Sequence, residues 1–215
     1  MYARRRTFVS FVLLIFALPL FAAKQQIVDR PILICFGDSI TAGRGLSPDQ
    51  AYPAFLQKKL DAAGYNYRVV NMGTSGATTK DAIAMLPSVL RLHPAVVIVE
   101  FGGNDGLRGL PLTQTRSNLD QVLATLVRAH IRVLLAGITL PPDYGPDYIH
   151  SFDSMFPVLA TKDHTAIVPM IYKNLVNVPG TIQADGIHPT ARGSEIIAAT
   201  LLPALEPLLR KSSGH

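Results

Sequence analysis

Continuous apolar runs and stretches with helical spacing take turns along this chain. Residues 31–36 are apolar without alternation and bounded by turn formers, which predicts a strand buried on both faces. Apolar residues at helical spacing follow over 52–63, stopped by Gly64. A second strand is expected over 67–72. It runs into a small-residue turn, 73–79, whose threonines can cap a helix over 80–92, with Pro87 as a break inside it. Residues 94–101 are β-branched and apolar and predict a third strand, ending in Gly102-Gly103-Asn104-Asp105-Gly106. Over 112–130, Leu119, Val122, Leu123 and Leu126 fall on one helix face. A fourth strand is expected over 131–138, then an irregular loop over 141–148 and a helix over 149–161. A short fifth strand over 165–168 and a last helix over 191–209, kinked at Pro203, complete the pattern. Strands alternating with helices imply an α/β fold with a parallel, doubly wound sheet and right-handed crossovers. No repeat, low-complexity tract or linker interrupts it, so residues 24–215 read as one domain.

The first residues follow another pattern. Arg4, Arg5 and Arg6 precede an uncharged, apolar run over 7–23 that ends in small residues, the layout of a secretory signal, here 1–23, cleaved near Ala22 or Ala23. The alternative is an uncleaved anchor, but the run is shorter than the roughly 20 residues a spanning helix needs. Cleavage takes three positive charges off the formal net charge of +5. What remains makes no case for nucleic acid. A composition 48% hydrophobic and 16% charged suits a folded body rather than disorder. The expected location is the periplasm or the medium, with no stable membrane span after cleavage. Cys35 is the only cysteine, so no internal disulfide can form; inside a strand pattern it reads as a buried core thiol.

Gly37-Asp38-Ser39 sits just past the first strand, where open α/β sheets place their ligands. Taken alone it reads more readily as a plain turn, since all three residues favour turns. Turns at the same edge of a parallel sheet converge, however, and those at Ser39, Gly76 and Asn104 share that edge. A nucleophilic serine needs a base, for which His188 is the candidate. Asp185, three residues earlier, is close enough to hold the imidazole. The backbone N–H groups of Ser39 and Gly76 and the side-chain amide of Asn104 could together bind an oxyanion. Other readings stand beside these: Gly76 and Asn104 as ordinary turn residues, and Asp185 and His188 as an Asx turn with a surface histidine or as two metal ligands. His93, His130, His150, His164 and His215 are scattered singly and read as surface or helix-end residues. A phosphate-cradling Gly-Lys-Ser/Thr loop, a complete Gly-x-Gly-x-x-Gly and a Gly-x-Ser-x-Gly elbow are all absent.

Four blocks in order, Gly37-Asp38-Ser39, Gly76 after Asn71 and Ser75, Gly103-Asn104-Asp105, and Asp185-Gly186-Ile187-His188-Pro189, resemble those of the SGNH or GDSL hydrolases. The resemblance implies a three-layer α/β/α, flavodoxin-like fold with a five-stranded parallel sheet. It also implies no metal, no cofactor, and hydrolysis of esters or thioesters. Residues 102–109, with Leu140-Pro141 and Tyr144-Gly145, resemble the branch of periplasmic thioesterases, lysophospholipases and arylesterases. The expected partner is a small ester, thioester or lysophospholipid, met by a monomer. Leu107, Arg108, Leu110, Tyr144 and Tyr148 are the candidate substrate contacts, with Phe152, Met155 and Phe156 as further candidates for an acyl groove or for core packing. A carbohydrate O-deacetylase on the same fold and a non-catalytic binding module are the alternatives.

Overall fold

The computed structural model describes residues 30–175 and 177–211. The expected signal segment, its cleavage position and His215 lie outside the described residues. Five strands form one parallel sheet: β1 (Ile32–Gly37), β2 (Arg68–Gly73), β3 (Val96–Glu100), β4 (Arg132–Ala136) and β5 (Ala166–Val168). Their order is β2-β1-β3-β4-β5, the flavodoxin-like arrangement with its switch point between β1 and β3. Helix α2 (Tyr52–Ala62) packs against α7 (Ala191–Leu205) on one face. Helix α3 (Thr79–Leu90) packs against α5 (Leu112–Arg128), and α5 against α6 (Pro146–Lys162), on the other. The expected α/β/α layering is therefore present. β1 and β3 are apolar because both faces are covered: Leu33 to Phe36 and Val96 to Val99 expose nothing.

Several boundaries differ from expectation. Helix α3 continues through Pro87, because Ala82, Leu86 and Val89 are buried on both sides of it and their packing outweighs one lost backbone hydrogen bond. Helix α7 likewise passes through Pro203, with Leu201 and Leu205 buried, and gives way to a 3-10 turn over Glu206–Leu208. The loop after β4 begins and ends earlier than expected: β4 stops at Ala136, and α6 starts at Pro146, a proline in the first helical position where its missing N–H costs nothing. Two turns form single short helices: α1 (Ser39–Ala42), directly after β1, and α4 (Gly103–Leu107), after β3. Asn104 is thus helical, which removes its left-handed alternative. Cys35 is buried, and that burial pushes its thiol up to about 12.

Candidate active site

The two short helices flank the switch point. Ser39 opens α1, and Asp38 caps it by accepting the Ile40 N–H on Oδ1 at 3.0 Å. The turn depends on Gly37 having no side chain. A Cβ there would meet Thr41 Oγ1 at 2.1 Å, Glu100 Oε2 at 2.6 Å and the Glu100 carbonyl at 2.7 Å. Thr41 could rotate away, but the β3 backbone cannot. Gly37→Ala is therefore expected to cost about 1–3 kcal/mol or more, read as a drop in Tm; an unchanged melt would show that the turn yields.

Ser39 Oγ lies 2.9 Å from His188 Nε2, and His188 Nδ1 lies 2.6 Å from Asp185 Oδ2. A residue 149 positions away is held there by a tight loop. An antiparallel bridge joins Ile182 to Pro189, and the Gln183 N–H donates to the His188 carbonyl. Inside that loop, Asp185 Oδ1 accepts the N–H groups of Ile187 and His188, each at 3.0 Å. Burial alone would raise the Asp185 pKa; these N–H groups and the imidazole outweigh it and bring it down to about 2. Ser39 and His188 are buried, whereas the Asp185 side chain is half exposed.

The oxyanion candidates meet at the same place. Asn104 Nδ2 donates to Asp38 Oδ2 and to the Ala77 carbonyl, both at 3.0 Å, tying α4 to the Ser39 and Gly76 turns. Gly76 takes φ +81°, a conformation that favours glycine. Among the described residues, the N–H groups of Ser39 and Gly76 have no hydrogen-bond partner. Ser39, Asn104 and His188 border a cavity of about 470 Å³ whose wall is mostly apolar, including Ile40, Leu107, Ile138, Leu140, Leu175 and Ile182.

Of the five candidate substrate contacts, only Leu107 lines this cavity. Arg108 instead donates to the Gly76 carbonyl at 2.8 Å, so it braces the glycine turn. Leu110 is exposed away from the cavity. The Tyr144 and Tyr148 hydroxyls reach the carbonyls of Leu107 and Gly106, at 2.7 and 3.5 Å, pinning the end of α4 from outside. Phe152, Met155 and Phe156 are buried in the core. Three other residues carried no flag in the sequence. Gln183 Nε2 ties the histidine loop to Arg44 after the serine turn, and the Tyr172 hydroxyl holds the Ile187 carbonyl. Glu100 lies under the serine turn; a charge closing an otherwise apolar strand was the signal for it. Asp185 and His188 bind each other, and among the described residues no three His, Cys, Asp or Glu side chains gather as a metal site.

The GDSL-like lipase/acylhydrolase family matches residues 35–196. The chain is 42% identical over 186 residues to esterase TesA of Pseudomonas aeruginosa, covering 86% of this chain and 92% of that one. It is 37% identical over 182 residues to thioesterase 1/protease 1/lysophospholipase L1 of Escherichia coli K12, covering 84% and 86%. The crystal structure of TesA superposes with a TM-score of 0.80 at 42% identity, covering 83% of this chain and 99% of that one.

Proposed function

Because the chain belongs to the GDSL-like lipase/acylhydrolase family, we propose that it is an exported serine hydrolase of carboxylic esters and thioesters with apolar acyl chains. The observation that carries this reading is the row Ser39 Oγ, His188, Asp185 opening onto an apolar cavity. Ser39 Oγ attacks the acyl carbonyl while its proton passes to His188 Nε2, and Asp185 holds the imidazolium. The tetrahedral oxyanion takes hydrogen bonds from the N–H groups of Ser39 and Gly76 and from Asn104, which must release Asp38 or Ala77 to do so. Collapse expels the alcohol or thiol with the proton from His188. Water, deprotonated by His188, then frees the acid and regenerates Ser39. Removal of one oxyanion donor typically costs roughly 2.7–4 kcal/mol of transition-state stabilisation.

Two relatives support the breadth of the reading, since their names give esterase, thioesterase and lysophospholipase activity. Export rests on the three arginines and the apolar run at the N-terminus; among the described residues no helix is long and apolar enough to cross a membrane. An exported enzyme meets little intracellular acyl-CoA, which favours esters and lysophospholipids as natural substrates. The test is a hydrolysis panel on the purified mature chain: p-nitrophenyl esters of increasing length, palmitoyl-CoA, lysophosphatidylcholine and acetylated xylan. Longer acyl chains are expected to outrun acetate in kcat/KM, with no acetate released from xylan. Release from xylan alone would make the chain a carbohydrate deacetylase, and silence on the whole panel a binding module.

A further inference from the structure

Beneath the Ser39 turn sits a carboxyl group that the proposed hydrolysis does not use. Glu100 closes β3 and is fully buried. Its Oε2 shares a hydrogen bond with Thr41 Oγ1 at 2.8 Å and accepts from the Asp38 N–H at 3.3 Å, while Oε1 has no hydrogen-bond partner. The same Asp38 N–H also reaches the Glu100 carbonyl, at 3.2 Å. Thr41 Oγ1 shares a further hydrogen bond with the Tyr52 hydroxyl at 3.1 Å. Asp38 is buried too, but both of its oxygens are served, Oδ1 by the Ile40 N–H and Oδ2 by Asn104 Nδ2. Two buried carboxyl groups thus lie under the nucleophile, linked through the Asp38 N–H that donates to Glu100, and among the described residues neither is paired with a lysine or arginine.

We propose that Glu100 is held as a neutral carboxylic acid and positions the Ser39 turn in that state, while Asp38 carries the single negative charge of the pair and holds Asn104. Two like charges this close in a dry turn do not both ionise, and the proton belongs on the group with the poorer donors. As a neutral acid protonated on Oε2, Glu100 donates to Thr41 Oγ1, which then turns its own proton to the Tyr52 hydroxyl, and only a carbonyl oxygen is left unpartnered; as a carboxylate it would leave a charged one. Its surroundings agree. Burial, then the neighbouring Asp38 charge, holds the Glu100 carboxyl well above the usual carboxylate range. Burial also raises Asp38, to about 6, against the opposing pull of the Ile40 N–H and the His188 side. The other titratable groups facing the pair are Tyr52 on α2, Cys35 on β1 and Tyr172 after β5. Burial raises all three, so none offers a counter-charge near neutrality. Ionisation of Glu100 would set a second negative charge against Asp38 and loosen the contacts that aim Ser39 and Asn104.

The chain contains only Glu100, Glu195 and Glu206, so carboxyl 13C NMR on glutamate-labelled protein reads the state directly, with E100Q assigning the Glu100 resonance. That resonance is expected at the protonated position at pH 7, moving only at higher pH. Stability gives a second reading. A raised folded-state pKa contributes stability that is complete below the unfolded glutamate value of about 4.3 and lost as pH rises towards the folded value. The wild-type Tm is therefore expected to fall relative to E100Q as pH rises from about 4.3. E100Q keeps the shape and cannot ionise, so kcat at pH 7 is expected within about threefold of wild type, with KM unchanged and the alkaline loss of kcat removed. A carboxylate resonance at pH 7, a Tm offset independent of pH, or a folded E100Q more than tenfold slower would each overturn the proposal. The kinetic arm rests on Ser39 as nucleophile; the NMR and melting arms do not. If the chain hydrolyses nothing, they still decide Glu100.

Discussion

Ser39→Ala is expected to lower kcat on a p-nitrophenyl ester by about four to six orders of magnitude and to leave the fold intact. The hydroxyl it removes makes one side-chain hydrogen bond, to His188 Nε2, and the serine N–H proposed as an oxyanion donor remains. The cap of α1 belongs to Asp38, so the turn keeps its shape. Residual turnover then comes from oxyanion binding and substrate placement alone. Steady-state kinetics with a thermal melt checks both halves. A folded Ser39→Ala protein within tenfold of wild-type activity would end the serine mechanism.

Asp185→Asn is expected to cost about two to four orders of magnitude in kcat, with KM almost unchanged because Asp185 does not border the cavity. The loop should survive, since the asparagine carbonyl can still accept the Ile187 and His188 N–H groups. What changes is the proton on the ring. In the wild type, Asp185 Oδ2 can only accept, so Nδ1 must donate and Nε2 is left bare to take the serine proton. An asparagine amide offers N–H to Nδ1, which drives the ring proton onto Nε2 and blocks the base. The substitution is a near-isostere, so a large kcat loss with an unchanged melt separates this tautomer effect from loop damage. Full activity would mean that Asp185 serves only as the loop's Asx turn.

Residues 37–39, 76, 103–105 and 185–188 were legible because each block is local: a small-residue turn at the end of an apolar strand, or an acid three positions before a histidine. The parallel sheet then brings strand ends together whatever the side chains between them. The substrate contacts were not legible in the same way. Arg108, Tyr144 and Tyr148 lie on loops at the right edge of the sheet, yet they brace the turns from outside, and Leu110 is exposed, while Ile138, Leu140, Leu175 and Ile182 form part of the cavity wall. Proximity in sequence says which loop a residue belongs to; it does not say which way the side chain faces, which depends on backbone torsions and on distant partners. The three prolines inside helices make the same point. Pro87, Pro157 and Pro203 each oppose a helix locally, and the buried neighbours of each hold it.

Alternation of apolar runs and helical stretches was enough to determine an α/β sheet and the edge at which its polar turns collect, because strand and helix periods are written into consecutive residues. Tertiary structure alone decided that Glu100 lies under the serine, that Gln183 ties the histidine loop to the serine turn, and that the cavity takes its wall from residues beyond residue 137 as well as from α1 and α4. Those contacts join segments tens of residues apart, and they come into being only when the strands are set in order β2-β1-β3-β4-β5.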